Sequence, residues 1–99
     1  MGIAVCGIGI ISAIGNGAAE TLAGLLAGHS GIGKLTLFDS AVDVPAGEVP
    51  YDNRTLKRLL GIPDQQTRSR TALLGMAAVG QAVADAAIPA AARVALISG

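Results

Sequence analysis

Tryptophan is missing from this 99-residue chain, and Phe38 and Tyr51 are its only aromatic residues. Packing must therefore come from Ala, Gly, Ile, Leu and Val, which brings backbones close together. A single cysteine, Cys6, excludes an internal disulfide, and with a single histidine, His29, it supplies too few ligands for a zinc site. Neither sign of charge is in excess, since seven Lys and Arg balance seven Asp and Glu. No basic footprint marks a nucleic-acid partner. Apolar runs are also short: Asn16 and Glu20 end one, and Gln81 and Asp85 interrupt another, so neither reaches the roughly 20 residues that a membrane span requires. The first cationic residue is Lys34, whereas a secretory signal needs positive charge ahead of its apolar region. The expectation is a cytoplasmic protein with no membrane and no nucleic-acid partner.

What remains is an interior-like composition, 52% apolar with 14 glycines, in a chain long enough for one small domain and too short for two. Ile3–Cys6 reads as a buried strand, extended past Gly7 and Gly9 by Ile8, Ile10 and Ile11. Gly15-Asn16-Gly17 turns the chain. From Ala18 the period becomes helical, with Leu22, Leu25 and Leu26 on one face, Glu20 in the first turn and Gly28 as the stop. His29–Gly33 reads as a loop, Lys34–Phe38 as a buried connector in preference to a short strand, and any strand between Pro45 and Pro50 centres on Ala46–Val49. Asp52 or Asn53 caps a helix through Leu60 that Gly61 ends. Pro63 and Asp64 open a longer helix over Gln65–Ala87, apolar nearly all the way round from Thr71 onward, with small residues that admit another backbone. Beyond Pro89, Arg93–Ser98 reads as a second buried strand.

Alternating strands and helices predict an α/β fold of parallel strands joined by right-handed crossovers. With the strands side by side in chain order, both crossover helices cover one sheet face and the other face is bare. Because Ile3–Cys6 and Val94–Ile97 are apolar on both faces, something else must cover it. Residues 1–99 are therefore expected to be the leading, incomplete part of a larger domain.

Chemistry is sparse. Gly7-Ile8-Gly9-Ile10-Ile11-Ser12 follows a strand as a dinucleotide fingerprint does, but that motif needs a helix to open within it and an acid about 20 residues on. Here the helix starts near Ala18, Ser12 replaces the third glycine and Asp39 comes too late, which leaves a dinucleotide-binding module as the lesser alternative. Cys6 reads as a small buried hydrophobe and His29 as a solvated loop residue. Arg54, Lys57, Arg58, Arg68 and Arg70 read as a solvated basic face on which a phosphate-bearing partner could dock. No catalytic residue, cofactor-binding residue or metal ligand is assigned.

Five blocks, IAVCGIGIISAIGNG, LLAGHSGIGKLTLFD, AGEV, SRTALLGMAAVGQAVADAAI and RVALISG, stand in an order and spacing that resemble the N-terminal part of the β-ketoacyl-acyl carrier protein synthases, condensing enzymes with the thiolase-like fold. The resemblance covers nearly the whole chain. It implies a duplicated fold of two five-stranded sheets around a central helix layer, in a homodimer or hetero-oligomer. It also implies an acyltransferase that joins malonyl-acyl carrier protein to an acyl thioester by decarboxylative Claisen condensation, in fatty acid or polyketide synthesis. In that family a thiolate takes the acyl group and two histidines assist decarboxylation and attack. All three lie beyond the matched region. Cys6 occupies a first-strand position often held by Thr, His29 matches no catalytic histidine, and Thr71 and Leu74 stand where relatives often carry aromatics, which leaves a non-catalytic partner subunit as the alternative. This chain alone is expected to be inactive.

Overall fold

Residues 2–98 are described in a computed structural model, in which only two side chains, Leu56 and Leu73, are fully buried. They belong to two helices packed on each other, α2 (Asn53–Leu60) and α3 (Arg70–Asp85), which follow α1 (Ala18–Leu26). Two small antiparallel sheets complete a mixed α/β fold. In one, β1 (Ile11–Ser12) pairs with β2 (Gly15–Asn16); in the other, β3 (Ile32–Gly33) pairs with β4 (Ala46–Gly47). The Cα radius of gyration is 15.6 Å, against about 13 Å for a compact chain of this length. So small a core leaves the molecule open.

Each helix begins and ends as local chemistry dictates. Asp52 Oδ1 accepts a hydrogen bond from Thr55 N–H at 2.7 Å and opens α2, and Ser69 Oγ accepts from Ala72 N–H at 3.1 Å and opens α3. All three helices close with paired backbone bonds of the Schellman type: Gly28 and His29 donate back to Leu25 and Gly24, Gly61 and Ile62 to Arg58 and Lys57, Ala87 and Ile88 to Ala84 and Val83. Gly28 and Gly61 take the left-handed conformation this needs, at φ 68° and 70°; α3 places Ala87 there instead, at φ 52°. A Cβ in that region costs about 1–2 kcal/mol.

Several expectations are corrected. The paired strands are antiparallel, not parallel, and each spans two residues; in the first pair a two-residue turn at Ala13-Ile14 folds the chain directly back on itself. Gly15-Asn16 is thus a strand rather than the turn itself, and Ile32–Gly33, expected in a loop, pairs with the short strand at Ala46–Gly47. Ile3–Cys6 and Val94–Ile97 have no regular structure and are exposed, Ile3 and Ile97 almost completely. Cys6 is exposed with them. A buried strand requires edge partners and cover on its faces; among the described residues none reaches these two segments. Helix α1 turns Gly24 towards Ile14 and leaves Leu22, Leu25 and Leu26 exposed, so its apolar face is outward. The long helix starts at Arg70, not Gln65, since Ser69 provides the cap while 63–66 close a separate turn through Gln66 N–H to Pro63 O. Lys34–Phe38 is a connector without strand structure, as expected, but none of it is buried; the Asp52 cap, Leu60 end and Gly61 stop of α2 are as read from sequence. Met1 and Gly99 of the expected 1–99 unit lie outside the described residues.

Two stability effects follow. Leu56→Ala and Leu73→Ala should each lower the unfolding free energy by about 2–5 kcal/mol, as measured by urea titration of the helical circular dichroism. Ala87→Gly should raise it by roughly 1 kcal/mol by relieving the left-handed alanine; an unchanged or lower midpoint would show that Ala87 is not strained.

Candidate functional site

Between Ala72 and Ala86 the only polar side chains are Gln81 and Asp85, one helical turn apart on α3. Both turn to the N-terminal segment. Asp85 Oδ2 accepts from Ile8 N–H at 3.0 Å, and Gln81 Oε1 accepts from Ile10 N–H at 2.9 Å. The Gln81 amide donates in turn to Asn16 Oδ1 at 2.7 Å, while Asn16 N–H donates to Glu20 Oε2 at 2.8 Å. One polar chain thereby joins α3, the β1–β2 hairpin and the first turn of α1.

The glycines make this approach possible. A Cβ built at Gly9 would lie 1.8 Å from Ala78 O, and one at Gly7 would lie 2.3 Å from Ala82 O. Both faces are therefore closed against α3 carbonyls, which repel a phosphate. With α1 starting at Ala18, after the hairpin, no helix N-terminus faces Gly7 or Gly9 as a pyrophosphate cradle demands. Close packing is the role of these glycines.

Arg70 organises a second polar centre where α3 begins. Its guanidinium donates to Tyr51 O at 2.9 Å, Val49 O at 2.9 Å and Asn53 Oδ1 at 3.0 Å, and its Cζ stands 5.2 Å from the centre of the Phe38 ring. The planar fork suits this use, because it reaches several acceptors while stacking on an aromatic face. Glu48 fastens the neighbouring connector: its carboxylate accepts from Thr36 Oγ1, from Thr36 N–H at 2.7 Å and from Leu37 N–H at 3.4 Å. The Thr36 hydroxyl bond is the main reason that the Glu48 carboxyl sits below its ordinary pKa, with the backbone donors and Arg70 adding to it. Asp52 is lowered as well, chiefly by the Thr55 amide it caps. A cleft of about 310 Å³ lies beside Arg70, lined by Leu37, Phe38, Asp52, Asn53 and Arg54.

None of the clefts found gathers the parts of a catalytic centre. His29 and Cys6 line none of them, and no group of three or more His, Cys, Asp or Glu side chains able to hold a metal occurs among the described residues. The expected basic face is divided: Arg70 is spent on backbone carbonyls, Arg54 pairs with Asp64 at 3.4 Å in an exposed contact worth little, and Arg68 bonds Thr67 O and Gln66. Gln81 and Asp85 stand out in the sequence only as interruptions of an apolar run, and the bonding roles of all four residues, these two with Glu48 and Arg70, are absent from the expectations. For the first two the signal was present, as polar interruptions four residues apart in an otherwise apolar helix; for Arg70 and Glu48 the partners are backbone groups distant in sequence, which no spacing announces. Compared with family models, curated proteins and solved structures, the chain matches none of them.

A depressed carboxylate gives a definite pH dependence. The Glu48 bonds favour the ionised form, so their contribution is full above the ordinary value of 4.5 and is lost as pH falls through the lower folded-state value. In Glu48→Gln that part of the acid destabilisation should disappear, read as a flatter dependence of the thermal midpoint below pH 4.5 than in the parent chain. An identical slope in both would show that the Glu48 clasp does not form.

Proposed function

We propose that this chain is the N-terminal part of a thiolase-like condensing enzyme, a β-ketoacyl-acyl carrier protein synthase, whose reacting residues lie outside it. The parent would be a cytoplasmic acyltransferase, acting as a homodimer or hetero-oligomer on acyl and malonyl thioesters of an acyl carrier protein. Its reaction would pass an acyl group to a cysteine thiolate and release carbon dioxide from malonyl thioester. The resulting carbanion would then attack the acyl carbon to form the new C–C bond and free the thiolate. Imidazole donors would stabilise the oxyanion that develops.

The observation that supports this reading best is the contrast between sequence and surroundings at Ile3–Cys6 and Val94–Ile97. Both have the β-branched, continuously apolar character of strands covered on two faces, and both are bare. The placement of the first segment relative to α3 fits a crossover unit. The nearest α3 neighbours move from Ala78 at Gly9 to Ala82 and Ala86 at Gly7, so the helix runs antiparallel to the first segment. A strand that returns after α3 then runs parallel to it. In the proposed parent these two segments are strands of one parallel sheet, and the helix layer of the thiolase-like fold covers the sheet face that α3 leaves open. The order of the five sequence blocks supports the same assignment. Thr71 and Leu74, in place of aromatics, favour as a second reading a non-catalytic relative that completes a partner subunit.

Determining the coding sequence beyond Gly99 and assaying the protein it encodes tests the proposal. The expected result is a continuation with a cysteine followed by two histidines. The downstream cysteine should form an acyl thioester detectable by mass spectrometry, and Cys6→Ser should leave the condensation rate unchanged. A continuation without those residues would remove the catalytic reading; loss of acylation in Cys6→Ser would contradict the proposal that the reacting cysteine lies outside this chain.

A further inference from the structure

Gly7–Ile10 and α3 meet through two repeats that nearly coincide. Two residues of extended chain cover about 6.8 Å and four residues of α-helix about 6.0 Å. Moving from Gly9 to Gly7 accordingly shifts the contact by four helical residues, from Ala78 to Ala82. The polar contacts keep the same step, with Gln81 on Ile10 N–H and Asp85 on Ile8 N–H. Glycines and bonded amides therefore alternate along the segment, the glycines against the helix backbone and the isoleucine amides against its two polar side chains.

Sterically, this arrangement admits one register. A slip by one residue brings Ile8 and Ile10 to the places of Gly7 and Gly9, where even a Cβ would fall within 2.3 Å of a carbonyl oxygen. A slip by two brings Val5 or Ile11 to one of those places, with the same collision. Steric exclusion alone, however, is also satisfied when the segment lifts off the helix. Only an attraction holds it down, and Gln81 and Asp85 are the side chains that supply directed bonds. We infer that Gln81 and Asp85 are positioning residues that lock the first extended segment in a single register on α3 and so decide which of its side chains it presents away from the helix. Because successive side chains of an extended segment alternate, the lock turns Ile8 and Ile10 outward, and a one-residue slip would exchange the two faces. Whatever packs on this segment meets the isoleucine face. The inference stands on the contacts of this chain and does not rest on the proposed condensing activity.

Amide hydrogen exchange followed by NMR tests it on the whole chain. Ile8 and Ile10 should exchange roughly tenfold or more slowly than Gly7 and Gly9, after correction for intrinsic rates, because only the isoleucine amides carry the bonds. Gln81→Leu should abolish the protection of Ile10, and Asp85→Leu that of Ile8, while Gln81→Glu and Asp85→Asn, which keep an acceptor at the same reach, should retain most of it. The Ala77 amide inside α3 serves as the reference for helix integrity. Equal exchange of isoleucine and glycine amides in the unsubstituted chain would overturn the inference. So would loss of protection in the Glu and Asn variants with Ala77 still protected, or full protection in the Leu variants. Should a Leu variant lose Ala77 protection as well, the Glu and Asn variants and the unsubstituted chain decide the matter.

Discussion

The close approach of Gly7 and Gly9 to the carbonyl oxygens of Ala82 and Ala78 is the contact on which the placement of the N-terminal half depends. It works only without side chains at those two positions, and it brings the Ile8 and Ile10 amides within reach of Asp85 and Gln81. From Gln81 the polar chain continues through Asn16 to Glu20, so the hairpin and α1 take their positions from the same contact. Directed bonds carry this half because burial does not: the two fully buried leucines both lie between α2 and α3.

The other half depends on Arg70. Its guanidinium gathers Val49 O, Tyr51 O and Asn53 at the point where α3 starts, and Phe38 lies against it, so the connector between β3 and β4 is tied to the helix pair through one side chain. Charged groups bonded to backbone acceptors hold more firmly than exposed ion pairs. That contrast separates Arg70 from Arg54, whose salt bridge to Asp64 is exposed. A chain with few apolar contacts thus uses two polar anchors, one at each end of α3, and leaves its most strand-like segments exposed.

That exposure links structure to proposed function. Ile3, Val5, Val94, Leu96 and Ile97 would be costly to leave in water, and the same residues belong to the blocks from which the condensing-enzyme assignment is proposed. A sheet assembled across the open side of these segments would remove the cost.

Much of the local structure was determined by sequence alone. The Asp52 cap, the glycine stops at Gly28 and Gly61, and the helices starting at Ala18 and near Asn53 follow from interactions within a few residues, and composition excluded an internal disulfide and a membrane-spanning helix. Tertiary structure decided the rest. Ser69 rather than Pro63 opens α3, Ile3–Cys6 and Val94–Ile97 stand uncovered, and α1 shows its leucines to solvent because Gly24 is the residue that fits against Ile14. Periodicity identifies an apolar face but not its partner, since burial belongs to both surfaces. The glycines of Ile3–Gly17 show this most directly. Their spacing admitted either a phosphate or a close backbone, and the choice fell to the carbonyl oxygens of a helix some 70 residues further along the chain.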